Sequence, residues 1–162
     1  MRLARPATSP NLFTWDEKSE LIYFDRLKEL TSIRGLELPF WGDSLHAFDD
    51  QWLLSNLDPN WENVLTCIPG TMKRLGEDLY FGLASINENS RNDAIKFYST
   101  ALDCVKTLNN YFGVNKVCAV QITSAPKNAH ANKDFLFESL SEIISWDWLG
   151  TKIVLEHFDA PN

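Results

Sequence analysis

Three side chains that could bind a metal lie close together in the segment Glu156-His157-Phe158-Asp159, which directly follows a β-prone run. Carboxylate and imidazole groups suit Mn, Mg or Zn, so a divalent metal is one interpretation of this cluster. Successive residues of a strand point to opposite faces of a sheet, so Glu156 and His157 cannot both ligate one ion without a bend. We therefore expect Glu156 to be the metal ligand or catalytic base, with His157 as a supporting group beside bound substrate.

Polar residues also occur near the ends of the other predicted strands. If the aliphatic residues of these strands face the helices, the opposite face, here called the polar face, carries Glu37, Gln121, Thr123 and Glu156, and Thr66 can join them. Buried charge without a partner is costly, so a bound ligand would explain this face. Hydration at the sheet end or pairing with loop donors would explain it as well. We predict substrate contacts for Glu37 and Gln121.

Two segments that follow predicted strands contain aromatic and small residues where a substrate would lie. The first, Pro39-Phe40-Trp41-Gly42-Asp43, places Trp41 where its ring can stack on a sugar, although it could equally cover the end of the sheet. The second, Ile68-Pro69-Gly70-Thr71-Met72, follows the third strand, and Met72 could likewise cover the end of the sheet. His46 and His130 have no partner at metal-ligand spacing, and we expect both at the surface.

Helical and strand patterns alternate regularly along the chain. Hydrophobic spacing and capping signals predict helices over 16–31, 50–57, 87–112 and 132–146, and β-prone runs predict strands over 36–38, 64–68, 117–123 and 152–156. Short connections between them predict right-handed crossovers and a parallel sheet. The sequence therefore predicts an α/β fold, the N-terminal half of a TIM (β/α)8 barrel ending at strand five, as a single partial domain over residues 1–162. Residues 2–6 form a poor first strand, and an open flavodoxin-like sheet remains an alternative.

Composition excludes several classes of protein. A net charge of −7 and a pI near 4.9 argue against a nucleic-acid surface, because the basic residues are scattered. No apolar run is long enough to span a membrane. Three cysteines without a C-x-x-C pair indicate reduced thiols and a cytoplasmic location. Glycine-rich nucleotide motifs and the G-x-S-x-G and H-E-x-x-H motifs are absent from the sequence.

Six segments of the chain together resemble a known bacterial family. They are Leu36–Gly42, Ile68–Met72, Phe81–Ser85, Ser124–Pro126 and Trp146-Asp147-Trp148 with Glu156–Ala160. The chain resembles the domain of unknown function 4862 family, which is itself similar to xylose-isomerase-like TIM barrels that include sugar and sugar-phosphate isomerases and epimerases. The resemblance implies a divalent metal held at the ends of strands five to eight and a pair of glutamates that moves a proton. Glu156 matches such a position.

The resemblance also implies that complete relatives continue for another hundred residues or more. We therefore expect this chain to be a truncated form that is inactive alone and does not hold the metal tightly, because the remaining ligands are missing. A carbohydrate or sugar phosphate is the implied ligand. Alternatively, the chain is a non-catalytic product of a truncated or split gene, which forms homo-oligomers through its open barrel edges or assembles with a partner. A self-contained, flavodoxin-like domain that binds a small ligand is a further alternative.

Overall fold

A computed structural model describes residues 2–4 and 15–157 of the chain. The strands are β1 (Arg2–Ala4), β2 (Gly35–Pro39), β3 (Asn63–Thr66), β4 (Val117–Thr123) and β5 (Lys152–Glu156). The helices are α1 (Glu17–Lys28), α2 (Asp50–Asn56), α3 (Ile68–Glu77), α4 (Glu88–Phe112) and α5 (Lys133–Ser145). Strands alternate with helices, which confirms the predicted α/β class.

The strands form one five-stranded sheet in which every pairing is parallel and the order is β1-β2-β3-β4-β5. The doubtful first strand is present as β1, which pairs with the start of β2. Neighbours in the chain are thus neighbours in the sheet, and the order never reverses. All five strands consequently present their carboxyl ends at the same edge of the sheet.

The two faces of the sheet differ as the sequence predicted. Leu38, Leu65, Val120 and Ile153 lie in register across β2 to β5, and the first three are fully buried in the core beneath the helices. The polar residues of the same strands lie on the other face by alternation. Leu155, the register partner of buried Ile122, lies on the same face as the aliphatic residues but is 46% exposed, because β5 is an edge strand in the described sheet.

Side-chain caps set the start of four helices. Asp16, Asp49, Asn87 and Asn132 each accept a hydrogen bond from a backbone N–H of the first helical turn. Just before the cap of α4, the Ser85 hydroxyl accepts a hydrogen bond from Asn87 N at 3.1 Å. No helix within residues 2–4 and 15–157 is long and apolar enough to cross a membrane.

Helix α3 occupies the segment after β3, where the sequence analysis predicted no helix. Pro69 is compatible with it because the first helical turn has no internal partner for its N–H groups. Gly70 permits close packing: its N–H donates to Phe40 O at 3.0 Å, and an added Cβ would lie 2.7 Å from that oxygen. The helix therefore packs directly against the carboxyl end of β2.

The connection between α3 and α4 is bound to the loop after β4. Ala84 N donates to Ala125 O at 2.9 Å, and Asn132 N donates to Ala84 O at 2.7 Å. Gly82 adopts a φ of +146°, and an added Cβ would overlap the Ala125 carbonyl. These backbone contacts fix two loops at the sheet edge where the strands end.

Candidate functional site

The polar face ends in three neighbouring side chains on β3, β4 and β5. Thr66 and Gln121 are register partners, and Glu156 is the partner of Thr123, two residues further along the strands. The Gln121 side-chain amide donates a hydrogen bond to the Glu156 carboxylate. The structure therefore brings together Thr66, Gln121 and Glu156, which the sequence had placed on one face.

Thr66 has an unsatisfied hydroxyl. Its side chain is 5% exposed, and Oγ1 has no hydrogen-bond partner within the described part of the chain. Buried hydroxyl groups usually have a partner, because losing water without replacing its hydrogen bond costs about 1–3 kcal/mol. A polar ligand bound beside Gln121 and Glu156 would supply the hydrogen bond that the Thr66 hydroxyl lacks.

Glu37 lies apart from this group, although the sequence had placed it on the same face. It belongs to the register row of Val64, Ala119 and Lys152, which is two residues closer to the start of the strands than Thr66 and Gln121. From the row of Glu37 to that of Glu156 is about 13 Å along the strands, at about 3.3 Å for each residue. Glu37 is half-buried, and a ligand that contacts Glu156 would need to extend deeply to reach it.

Trp41 lies at the same sheet edge as Thr66. The residue before it, Phe40, donates its N–H to Thr66 O at 2.8 Å, which positions the chain at the end of β2. Trp41 itself is half-buried.

The predicted metal cluster is only partly within the described residues. Glu156 is half-buried on the polar face, whereas His157 is exposed directly after β5; Asp159 lies outside the described residues. Within residues 2–4 and 15–157, no three His, Cys, Asp or Glu residues form a group that could hold a metal ion. Glu156 offers one carboxylate, and its neighbours Gln121 and Thr66 are weaker ligands, so the described residues do not by themselves form a metal site.

A buried tyrosine supports the end of β4 from the helix side. Tyr98 of α4 accepts a hydrogen bond from Thr123 N at 3.3 Å, and its hydroxyl lies 3.5 Å from Thr71 Oγ1. Burial, with a smaller contribution from nearby Cys67, raises the pKa of Tyr98 to about 12. The phenol is therefore neutral near pH 7 and positions the strand end next to Glu156.

His46 is buried, so the prediction that it lies at the surface was wrong. It is 4% exposed, and its Nδ1 accepts hydrogen bonds from Phe48 N at 3.2 Å and Asp49 N at 2.9 Å. With Nδ1 acting as an acceptor, Nε2 carries a hydrogen and donates to Glu20 Oε2 at 3.1 Å. Trp15 Nε1 donates to the same oxygen at 2.8 Å. This cluster ties the start of α1 to the loop after β2.

Sequence spacing could not reveal this cluster, because Glu20 and His46 are 26 residues apart. His130 also differs from its prediction: it is half-buried and its ring packs against Tyr80, with centroids 4.4 Å apart.

The comparisons with known proteins give a family without an assigned function. The family model described as a domain of unknown function (DUF4862) matches residues 6–162. The chain belongs to this family. It is 35% identical over 156 residues to an uncharacterised protein of Salmonella typhimurium, and the match covers 94% of this chain and 49% of that protein. The chain thus spans about half the length of the relative it matches, and no solved structure matches it.

Family membership was predicted from the motifs and is confirmed. The relation of this family to xylose-isomerase-like barrels, by contrast, stays a prediction.

Proposed function

We propose that this chain forms the first five strands of a TIM-type βα barrel whose complete form is an isomerase or epimerase of a sugar or sugar phosphate. Thr66, Gln121 and Glu156 would be the part of the active site that this chain contributes. The observation that carries the proposal is this group itself: a carboxylate held by an amide, beside an unsatisfied buried hydroxyl, where the strands end.

The strand order supports a barrel. In doubly wound sheets such as that of flavodoxin the order reverses at a switch point, and ligands bind there. Here the five strands follow chain order without a reversal, as in a βα barrel, whose active site lies at the carboxyl ends of the strands. A complete barrel typically has about 250 residues, and the Salmonella relative is roughly twice as long as the matched segment.

The chemistry of the group suits proton transfer next to a sugar carbonyl. Glu156 is an oxygen base, and the Gln121 amide orients its carboxylate. The Thr66 hydroxyl can both donate to and accept from a sugar hydroxyl, which would satisfy it. Trp41, half-buried at the same edge, offers an aromatic surface for the sugar ring.

A divalent metal is part of the implied chemistry, and within residues 2–4 and 15–157 no three His, Cys, Asp or Glu residues group around Glu156 to hold it. Further ligands would have to come from other strands or from Asp159. When bound, such a metal would polarise the sugar carbonyl, and the role proposed for Glu156 itself is that of a base oriented by the Gln121 amide.

Reconstitution tests this proposal. The chain is mixed with a polypeptide corresponding to the second half of the Salmonella relative, and interconversion of aldose and ketose phosphates is followed by NMR. We expect turnover by the mixture and by neither half alone. Glu156→Gln should reduce the rate by about 100-fold or more, whereas Glu142→Gln, at an exposed position on α5, should not. Equal rates for both variants would exclude the role of Glu156, and a mixture that assembles without turnover would exclude the activity.

A second candidate is an assembly role without catalysis. Val154 and Leu155, on opposite faces of β5, are each 46% exposed, and Phe137 and Ile144 of α5 are 73% and 61% exposed. Faces of a parallel sheet are normally covered by helices, and an uncovered edge favours pairing with another chain. Light scattering tests this role: we expect the chain to self-associate, and Ile144→Lys to weaken the association. A stable monomer over a wide concentration range would exclude it.

A further inference from the structure

A cavity of about 340 Å³ lies outside the group formed by Thr66, Gln121 and Glu156, none of which lines it. It is bounded by the loop after β2, by the second half of α3 and by the first half of α4. Its size is at the lower end of the range for small-molecule sites, which is about 300–1,000 Å³.

The wall formed by the loop after β2 requires a glycine. Gly42 has a φ of +123°, a conformation that other residues rarely adopt, and it contributes to the lining. An added Cβ would lie 3.3 Å from the Phe97 ring and 3.7 Å from Arg74 Nη2. On this side of the cavity, the Gly42 backbone therefore lies close to the Phe97 ring and the Arg74 guanidinium. Phe81, packed edge-to-face on Phe97 at 5.7 Å, provides an apolar floor.

Charged groups of both signs line the cavity without pairing with each other. Arg74 is half-buried, and neither its guanidinium nor the Lys96 ammonium forms an ion pair or hydrogen bond within residues 2–4 and 15–157. Four carboxylates share the lining, and none of them forms an ion pair in these ranges: Asp43, Glu77, Asp78 and Asp93. Opposite charges that share a cavity but do not meet leave room for a ligand that contacts both.

The lining discriminates between classes of ligand. A phosphate or other simple anion would meet Arg74, but carboxylates outnumber cations around the cavity and would repel it. A simple amine would suit Asp43 and Asp93, but it would leave the half-buried Arg74 unpaired. A molecule with a carboxylate and an ammonium group satisfies both, because the Arg74 fork can bind a carboxylate through two hydrogen bonds.

We propose that this outer cavity binds a small zwitterion, a free α-amino acid. Its carboxylate lies on Arg74 and Lys96, its ammonium group on Asp43 and Asp93, and its side chain over the Phe81 and Phe97 rings. The site is independent of the function proposed for the strand ends, so failure of one leaves the other standing.

Titration of ¹⁵N-labelled protein with amino acids tests the proposal. The common L-amino acids are added singly, up to about 10 mM, the concentration range of weak binding, and the Gly42 and Thr100 amide signals are followed. We expect at least one to shift both signals. Its amide, which lacks the anionic group, and its deaminated acid, which lacks the cationic group, should each bind about tenfold more weakly or worse.

Matched variants identify the contacts. Arg74→Gln and Asp93→Asn should each weaken binding by about tenfold or more. Lys73→Gln, the exposed neighbour on α3, and Asp103→Asn, an exposed site on α4 outside the lining, should leave it unchanged. Circular dichroism confirms that each variant is folded, and a variant that is not is replaced by Lys96→Gln or Asp43→Asn.

Three results would overturn the proposal. The first is no shift with any amino acid. The second is binding of the amide, the deaminated acid or inorganic phosphate as tight as that of the zwitterion. The third is binding that survives both Arg74→Gln and Asp93→Asn.

Discussion

Gln121 and Glu156 are joined by a side-chain hydrogen bond across β4 and β5, although they are not register partners. Gln121 is opposite Val154, and Glu156 is opposite Thr123. The bond is therefore diagonal, and it draws the carboxylate towards the row that contains Thr66. A polar group is thus assembled from three strands at the edge where a βα barrel has its active site.

The unsatisfied Thr66 hydroxyl gives the first prediction. Thr66→Val removes a buried hydroxyl without a partner in the described residues, so it should raise the free energy of unfolding by about 1 kcal/mol. The same change should weaken binding of a sugar phosphate by about tenfold. Urea denaturation and calorimetric titration of the reconstituted barrel measure the two effects.

Thr71→Val is the matched control. The Thr71 hydroxyl is also buried but donates to Cys67 O at 2.9 Å, so its loss should lower the free energy of unfolding by about 1 kcal/mol. If Thr66→Val is as destabilising as Thr71→Val, the Thr66 hydroxyl has a partner in the folded chain.

The buried cluster around His46 gives a second prediction. His46→Leu removes a donor to Glu20 and the acceptor for two backbone N–H groups, and it leaves a buried carboxylate with fewer partners. We expect the free energy of unfolding to fall by about 3 kcal/mol or more. His130→Leu, at a half-buried ring contact, should cost about 1 kcal/mol at most. If urea denaturation shows similar losses of the free energy of unfolding for His46→Leu and His130→Leu, the hydrogen bonds of His46 do not stabilise the fold more than an ordinary ring contact.

The buried Tyr98 hydroxyl and Cys104 thiol predict how the free energy of unfolding depends on pH. Burial raises the pKa of Tyr98 from 10.0 to about 12 and, together with nearby Asp50 and Asp103, that of Cys104 from 9.0 to about 12. Both groups bind protons more tightly when folded, so their stabilising contribution is complete below pH 9 and is lost as the pH rises towards 12. The contribution of Tyr98 to the free energy of unfolding that is lost over this pH range is about 3 kcal/mol.

Denaturation between about pH 8 and pH 12 measures this decline. Tyr98→Phe should be less stable at neutral pH, because it loses the hydrogen bond from Thr123 N, and its stability should fall less steeply with pH. Parallel pH profiles for wild type and variant would show that Tyr98 does not contribute.

Local sequence signals were sufficient for the strands that carry the site. β4 and β5 have the predicted bounds, because each is an uninterrupted β-prone run, and alternation then assigns Gln121 and Glu156 to one face. Helix α3 was missed because Pro69 and Gly70 are turn residues in most sequences. In α3, Pro69 fits the first helical turn, and Gly70 allows close contact with Phe40. Only the tertiary structure reveals that contact.

Long-range relationships could not be predicted in the same way. Alternation places Glu37 on the polar face but cannot give the stagger between strands, which separates it from Glu156 by four residues along the strands. The pairing of Glu20 with His46 joins α1 to a loop beyond β2, and no local pattern encodes it. Whether a lone histidine is buried depends on such pairings.

Gly82 gives the last prediction, which concerns how firmly the loops are held at the strand ends. Its φ of +146° is accessible almost only to glycine, and an added Cβ would overlap the carbonyl of Ala125 in the loop after β4. Gly82→Ala should therefore lower the free energy of unfolding by about 3 kcal/mol, from backbone strain and overpacking together. It should also displace the Ala84 N–H from Ala125 O, which faster hydrogen exchange at Ala84 would reveal.

Gly76→Ala is the matched control, because nothing lies within 4 Å of the added Cβ on α3, and it should stabilise the protein by about 0.5–1 kcal/mol. If Gly82→Ala behaves like Gly76→Ala, the two loops are not closely packed and do not form a fixed rim for the site.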